Sequence, residues 1–298
     1  MVSNMKMLLA GTLPYPDFPM TYGEVKLDGD FLNVNGQRFS RTQGTSAMVT
    51  AALMVTNYLK LPPPCVLVAG DKGEGKGTRE IFGYLLSKMT ELSPDYLVLH
   101  YCLPIVSLAR LICQSIDASK RKVFLIADAG GMYAVKAAKM APRFDIFTPD
   151  LSEMAFLADP EATHPAQISK HLFTQDLDKV PEQIKAAYKN NDAAKLLIVK
   201  GATDYIAENG EIVYALDKPN VPSLEPIGGT GDTITGLVSG LVYAGYKPLD
   251  AAIIAVKTNR TAGQYVNPTP ATLVKEIVDA FPDVLNKYLI EWSKHAFS

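Results

Sequence analysis

The chain is poor in the residues that would declare a metal, a disulfide framework or a membrane. Its 298 residues include three cysteines and four histidines. Cys65, Cys102 and Cys113 have no metal-ligand spacing and cannot all pair, so they read as reduced thiols of a cytoplasmic protein. His100, His164, His171 and His295 are scattered without HxH or HExxH spacing, which argues against a zinc site. Long apolar runs are missing too. "MKMLLAGTL", near the N-terminus, is too short to span a bilayer and has no signal-peptide cleavage pattern, so neither export nor a membrane partner is expected. Nor is there an excess of one charge. Twenty-nine basic and thirty-one acidic side chains leave a net charge of −2, so no bulk field draws the chain to nucleic acid or anionic lipid. The small cluster "SKRK", residues 119–122, reads as a solvated patch before a strand. No internal repeat, low-complexity tract or linker appears.

What is present is an ordinary globular composition, 48% hydrophobic and 20% charged, in a chain long enough for one large α/β domain or two small ones. With no linker in view, a single domain over 1–298 is expected, with residues 1–44 as a β-rich extension and 45–298 as the core. The extension carries Asp28-Gly29 and Asn35-Gly36, dipeptides that favour tight hairpins. It reads as a β meander, serving as a lid or as the edge of a homo-oligomer. From Thr45 onward, short apolar strands ("CVLVAG", "DYLVLHY", "VFLIADA", "FDIFTP", "AKLLIVKG") alternate with helical stretches. The first of these helices is expected to be capped by Thr45 or Ser46. Others are expected over Thr78–Met89, Val106–Ile116, Met132–Met140 and Ser152–Ala158. Two more close the chain, Pro248–Tyr265 and Ala271 to about Phe281, with Pro282 breaking the second. "TDYIAENGEIVYAL" adds a hairpin turned at Asn209-Gly210. Strands alternating with helices in this way predict a mostly parallel sheet with helices on both faces.

Two glycine-rich stretches sit between a strand or turn and a helix. "GDKGEGKGT", Gly70 to Thr78, is spelled like the P-loop of nucleoside monophosphate kinases. Its variable positions oppose that reading. Asp71 and Glu74 would put carboxylates in or beside a phosphate cradle, each repelling a phosphate charge by about 4 kcal/mol at ~4 Å and an effective dielectric near 20. No Walker B aspartate follows. The stretch is open to three readings: a P-loop, a tight strand-to-helix turn, or a substrate-facing loop that offers Gly70 and Asp71.

"EPIGGTGDTITGLVSGLVYAG", Glu225 to Gly245, is the more informative segment. Gly228, Gly229 and Gly231 permit a turn that other residues resist. Asp232 then stands at the mouth of an amphipathic helix buried through Ile234, Leu237, Val238, Leu241 and Val242, while Gly236 and Gly240 admit a close neighbour. Unsatisfied amides and the positive end of the helix dipole make such a turn an anion hole. It would stabilise the charge of a transferring phosphoryl group. Asp232 would take the proton of an attacking hydroxyl, cap the helix, or do both.

This constellation resembles the ribokinase-like superfamily, and "GGTGDTITG" is most similar to its carbohydrate-kinase-like branch, the ADP/ATP-dependent NAD(P)H-hydrate dehydratases. "VFLIADA", "FDIFTPDLSEMAFL", "LLIVKGATDYIAENGEIVY" and "AAIIAVKTNRTAG" follow in the family's order, over roughly Val123 to Leu285. The resemblance implies a three-layer α/β fold using ATP or ADP with Mg²⁺. It implies that Asp232 is the catalytic base and that Gly228, Gly229, Thr230 and Gly231 hold the phosphate. Lys200, Gly201 and Asn259 would then line the nucleotide, Glu153 and Asp150 would hold Mg²⁺ through water, and Asp128 would face the acceptor.

Three departures from the family concern the acceptor. "PDLSE" stands where dehydratases have "PHPGE", so Asp150 replaces a histidine. "IADAGG" stands for "DADALN", so Gly131 replaces an asparagine. "HYCLP", His100 to Pro104, lacks the glycines of a "GPGLG" loop. The reading is therefore a nucleotide-driven phosphoryl-transfer enzyme, with dehydration of a hydrated nicotinamide nucleotide first. A kinase of a small hydroxylated metabolite comes second. A non-catalytic nucleotide binder and a P-loop kinase follow.

Overall fold

The computed structural model describes residues 5–163 and 179–293. Within it the chain falls into two compact units. One takes Met1–Thr21, Leu67–Gly201 and Tyr205–Val213; the other takes Tyr22–Val66, Ala202–Asp204 and Tyr214–Ser298.

The first unit is built on a mostly parallel sheet. Its strands are β1 (Met7–Leu13), most of β5 (Cys65–Gly70), β6 (Tyr96–His100), β7 (Phe124–Ala127), β8 (Ile146–Phe147), β9 (Leu196–Val199) and β10 (Asp204–Glu208). They lie in the order β10-β9-β8-β7-β6-β1-β5. β1, β6, β7, β8 and β9 pair in parallel, with Leu9 opposite Val98, Ala127 opposite Phe147, and Phe147 opposite Leu197. The apolar run near the N-terminus is thus a central strand, with Met7, Leu8, Leu9 and Ala10 all buried, as a strand covered on both faces requires. β10 turns back antiparallel to β9 and leads through Asn209-Gly210, both at positive φ, into β11 (Glu211–Leu216).

The unit's helices are α2 (Lys76–Leu92), α3 (Val106–Ala118), α4 (Ala129–Ala137), α5 (Leu151–Ala158) and α6 (Val180–Lys189). α4 starts three residues before its expected position, because Asp128 accepts the Ala129 amide and nucleates the helix there. α6, with Pro181 in its first turn, was not expected from the sequence.

The second unit holds the meander and the remaining helices. β2 (Thr21–Asp28), β3 (Phe31–Val34) and β4 (Gln37–Ser40) pair antiparallel in sequence order. Asn35 and Gly36 turn one hairpin, both at positive φ; the other turns at Gly29 and Asp30, with Asp28 still inside β2. α1 (Thr45–Tyr58) packs against α7 (Asp232–Tyr243). A Cβ on Gly236 would stand 2.1 Å from the Met48 carbonyl oxygen and one on Gly240 2.8 Å from Val55 Cβ, so the glycines of α7 set the approach of α1. The expected cap of α1 is corrected: Gly44 occupies the cap position with no side-chain cap bond, and Thr45 and Ser46 are buried inside the first turn. The chain end is corrected too. α8 (Pro248–Val266) is followed by α9 (Val274–Asp279) and α10 (Phe281–Trp292). Pro282 lies in the first turn of α10 rather than ending a helix, since a proline there forfeits an amide that has no helical partner. Among the described residues no helix is long and apolar enough to cross a membrane, and none of Cys65, Cys102 and Cys113 is in a disulfide.

Candidate active site

In the second unit the Gly228–Gly231 turn leads directly into α7, which carries no side-chain cap. Gly229 has φ 101°, and a Cβ there would lie 2.9 Å from Gln43 Cα, so both its conformation and its neighbour demand glycine. Thr233 N–H donates to the Gly229 carbonyl and Ile234 N–H to that of Gly231, which closes the first turn. The Asp232 carboxylate accepts the Gly44 amide at 2.7 Å, from the residue that opens α1. Asn259 on α8 lies behind the turn. Its Nδ2 donates to the Thr230 carbonyl at 3.0 Å, and its Oδ1 accepts from Thr233 Oγ1 at 2.7 Å. The next residue, Arg260, pairs with Asp204 at 2.6 Å and donates to the carbonyls of Ala202 and Pro219. An uncapped helix start of this kind is an anion-binding geometry.

In the first unit the parallel strands bring four further candidates together at their C-terminal ends. Asp128 follows β7 and Lys200 follows β9, and Lys200 Nζ reaches both Asp128 carboxylate oxygens at 3.0 Å. Asp128 is 1% exposed, and a buried charge of that kind is tolerated only when paired. Asp150 forms a parallel bridge with Lys200 and caps α5 in a capping box: its Oδ1 accepts the Glu153 amide, and Glu153 Oε2 accepts the Asp150 amide. Tyr133 donates its hydroxyl to the other Glu153 oxygen at 3.0 Å. Burial first, and then the charges of Asp150 and Asp128, push the Glu153 carboxyl up to about 8, against the opposing pull of Lys200. A divalent cation relieves this kind of electrostatic setting. Both Glu153 oxygens are already engaged, so the carboxylates suit a cation that keeps its own water, as Mg²⁺ does. Gly201 follows Lys200 and is exposed.

Gly70 and Asp71 belong to a different arrangement within that unit. A Cβ on Gly70 would stand 1.9 Å from the Tyr15 carbonyl oxygen, and the Gly70 amide donates to Phe18. The Asp71 carboxylate turns into its own loop. One oxygen accepts the amides of Gly73, Glu74 and Gly75, and the other accepts the amide of Thr78. Burial works to raise this carboxyl, but the four amides of Thr78, Gly75, Gly73 and Glu74 outweigh it and hold it below its ordinary value. The concavity that a P-loop would offer to phosphate is filled by the chain's own carboxylate. Lys76 is exposed and opens α2. A groove of about 630 Å³ runs beside it, along Phe18, Met20, Arg79 and Tyr84.

Residues 108–282 match the carbohydrate-kinase family described as NAD(P)H-hydrate dehydratase. This chain belongs to that family. It is 37% identical to the uncharacterized protein MJ1337 of Methanocaldococcus jannaschii, over 81% of this chain and 100% of that one. It is 24% identical to an ADP-dependent (S)-NAD(P)H-hydrate dehydratase of Xanthomonas campestris, over 89% and 86%. The structure of Bacillus subtilis YxkO, titled a putative kinase, superposes with a TM-score of 0.55 at 18% identity, covering 95% of this chain and 92% of that one. The fold is the α/β fold of ribokinase-like kinases.

The departures from the dehydratase pattern have physical partners in the first unit. A Cβ at Gly130 would stand 2.1 Å from the Cys102 carbonyl oxygen, and one at Gly131 2.6 Å from that of Leu99. Gly130 thus lies against the backbone of the "HYCLP" loop, and Gly131 against the backbone of β6 just before it. Tyr101 takes φ 51° there, and its carbonyl accepts from Thr12 Oγ1 at 2.6 Å. Asp150, in place of the family's histidine, serves as the cap of α5. The sequence reading missed His100, which is fully buried with Nε2 3.4 Å from Asp128 Oδ2. It also missed Tyr133, Gly44, Thr233 and Arg260. Thr233 and Arg260 adjoin residues that were singled out; His100 carries no spacing signal, because its partner lies on another strand. His164, His171 and His295 lie outside the described residues.

Proposed function

We propose that this chain is a nucleotide-dependent NAD(P)H-hydrate dehydratase. The observation that carries the reading is the family match over residues 108–282, together with the uncapped Gly228–Gly231 turn that lies inside it. The nucleotide, ADP or ATP, gives up its terminal phosphoryl group to the hydroxyl of a hydrated nicotinamide ring. An O–P bond forms on the substrate as the phosphoanhydride breaks, and Asp232 takes the hydroxyl proton. The ring nitrogen's lone pair then expels phosphate, and the neighbouring ring carbon loses a proton, which restores the reduced nicotinamide. The products are NAD(P)H, inorganic phosphate and the shortened nucleotide.

In this reading the amides of Gly229, Thr230 and Gly231 neutralise the migrating charge. Lys200 and Gly201 attend the nucleotide, and Asp128 attends the acceptor. Glu153 and Asp150 would hold Mg²⁺, and the ion would supply charge neutralisation to the phosphates. The partner is a small molecule, and the site of action is the cytoplasm.

The test is direct. Purified protein is given hydrated NADH, Mg²⁺ and either ADP or ATP, and near-ultraviolet absorbance and phosphate release are followed together. Recovery of absorbance with stoichiometric phosphate is expected. A stable phosphorylated product from another hydroxylated metabolite, with no recovery, would replace the reading with a kinase. Nucleotide-dependent thermal stabilisation without turnover would replace it with a binder.

A further inference from the structure

We infer that Asn259 is a positioning residue for the Gly228–Gly231 turn rather than a nucleotide contact. The inference rests on the reading above, in which that turn neutralises the transferring phosphate.

The geometry leaves the side chain little else to do. Asn259 is 7% exposed. The Thr230 carbonyl can only accept, so the group facing it at 3.0 Å must be Nδ2, and this fixes the amide's orientation. Oδ1 then faces Thr233 Oγ1 at 2.7 Å. That hydroxyl also lies 2.7 Å from the Thr230 carbonyl, so it shares its one proton between two acceptors. The three groups form a closed triangle behind the turn: Asn259 amide, Thr230 carbonyl, Thr233 hydroxyl. The triangle holds the Thr230 carbonyl among protein donors. A carbonyl released from them would be free to rotate its peptide, and the amide of Gly231 belongs to that same peptide plane. One flip would exchange a donor for an acceptor in the anion hole.

The anchor is stiff because α8 is. Ala255, Val256 and Ala262 are fully buried, and Thr258 is too. Arg260, next in the chain, is held by Asp204 and by the carbonyls of Ala202 and Pro219. Two consecutive residues of one buried helix thus tie down three separate segments of the second unit.

The experiment compares Asn259→Ala, Thr233→Val and Thr233→Ser with the wild-type chain. The readouts are dehydratase turnover, ADP affinity by calorimetry, melting temperature, and amide hydrogen exchange over residues 228–234. Asn259→Ala and Thr233→Val are expected to lower kcat by about 10- to 100-fold, the range for a misplaced catalytic group. They should leave the ADP Kd within about threefold and speed exchange in the turn by about tenfold or more. Thr233→Ser keeps the hydroxyl and should behave as wild type. If Asn259→Ala does not fold, Asn259→Asp keeps the acceptor toward Thr233 and loses the donor toward Thr230, and the same pattern is expected. A Kd weakened by about tenfold or more, with kcat and exchange unchanged, would make Asn259 a nucleotide contact and overturn the inference. An inactive wild-type chain would sink the dehydratase reading alone. The exchange measurement would still decide this inference, and an unaltered turn in Asn259→Ala would end it.

Discussion

The loop Gly70–Thr78 and the turn Gly228–Asp232 each deliver the chain into a helix through glycines, and each contains an aspartate. In the first, Asp71 curls inward and collects four amides of its own loop. In the second, Asp232 reaches away to the Gly44 amide, and the turn is held from behind by Asn259. An anion hole needs donors that the protein has not already used. The first loop has used its donors on itself, and the second has kept its helix start uncapped. Spelling favours the first as a phosphate cradle; hydrogen bonding favours the second.

The sharpest way to break this contrast is Asp232→Asn. It should lower turnover by about 10³-fold, within the range for a lost general base, while calorimetry shows ADP binding within about threefold of wild type. If turnover survives, the catalytic base is elsewhere. Next comes Gly229→Ala. The new Cβ meets Gln43 Cα at 2.9 Å in a left-handed backbone, so turnover should fall by about 10²-fold as the turn shifts, with a melting temperature lower by a few degrees.

Asp71→Ala should act on stability and leave turnover nearly unchanged. The loss is about 1 kcal/mol after allowance for solvent exposure, read as a few degrees in Tm. Its pH dependence has a definite sign. The folded carboxyl titrates below its ordinary value of 3.8. Its contribution is therefore present above that value and is lost as the pH falls through the depressed one. The Tm gap between wild type and variant should close on acidification; a gap that widened would contradict the amide cage. Smallest of all is Lys76→Ala, expected within about twofold of wild type in turnover, as for an exposed residue away from such features. A large loss there would move the phosphate to the first loop.

Much of the fold was legible because apolar strands and amphipathic helices alternate plainly. The strand that leads into Asp128 could be read from Phe124–Ala127, and the hairpin from Asn209-Gly210. The misreadings lie where local chemistry has two outcomes. Pro282 reads as a stop and serves as a start, because a first-turn proline and a helix-ending proline look the same in sequence. Thr45 and Ser46 look like caps, yet Gly44 takes that place. The short apolar β1 gave no periodicity to separate a buried strand from other apolar segments.

The sequence by itself determined the alternation of elements, the glycine turn before α7 and the order of the family's segments, since these depend on neighbours a few residues apart. Only the tertiary structure decided what each charged or amide group spends its hydrogen bonds on. Asp71 on its own loop, Asp232 on Gly44, Lys200 on Asp128 and Asn259 on Thr230 are choices among partners 2 to 188 positions away. A buried polar group is satisfied by whatever folding brings within about 3 Å, and sequence distance says nothing about that.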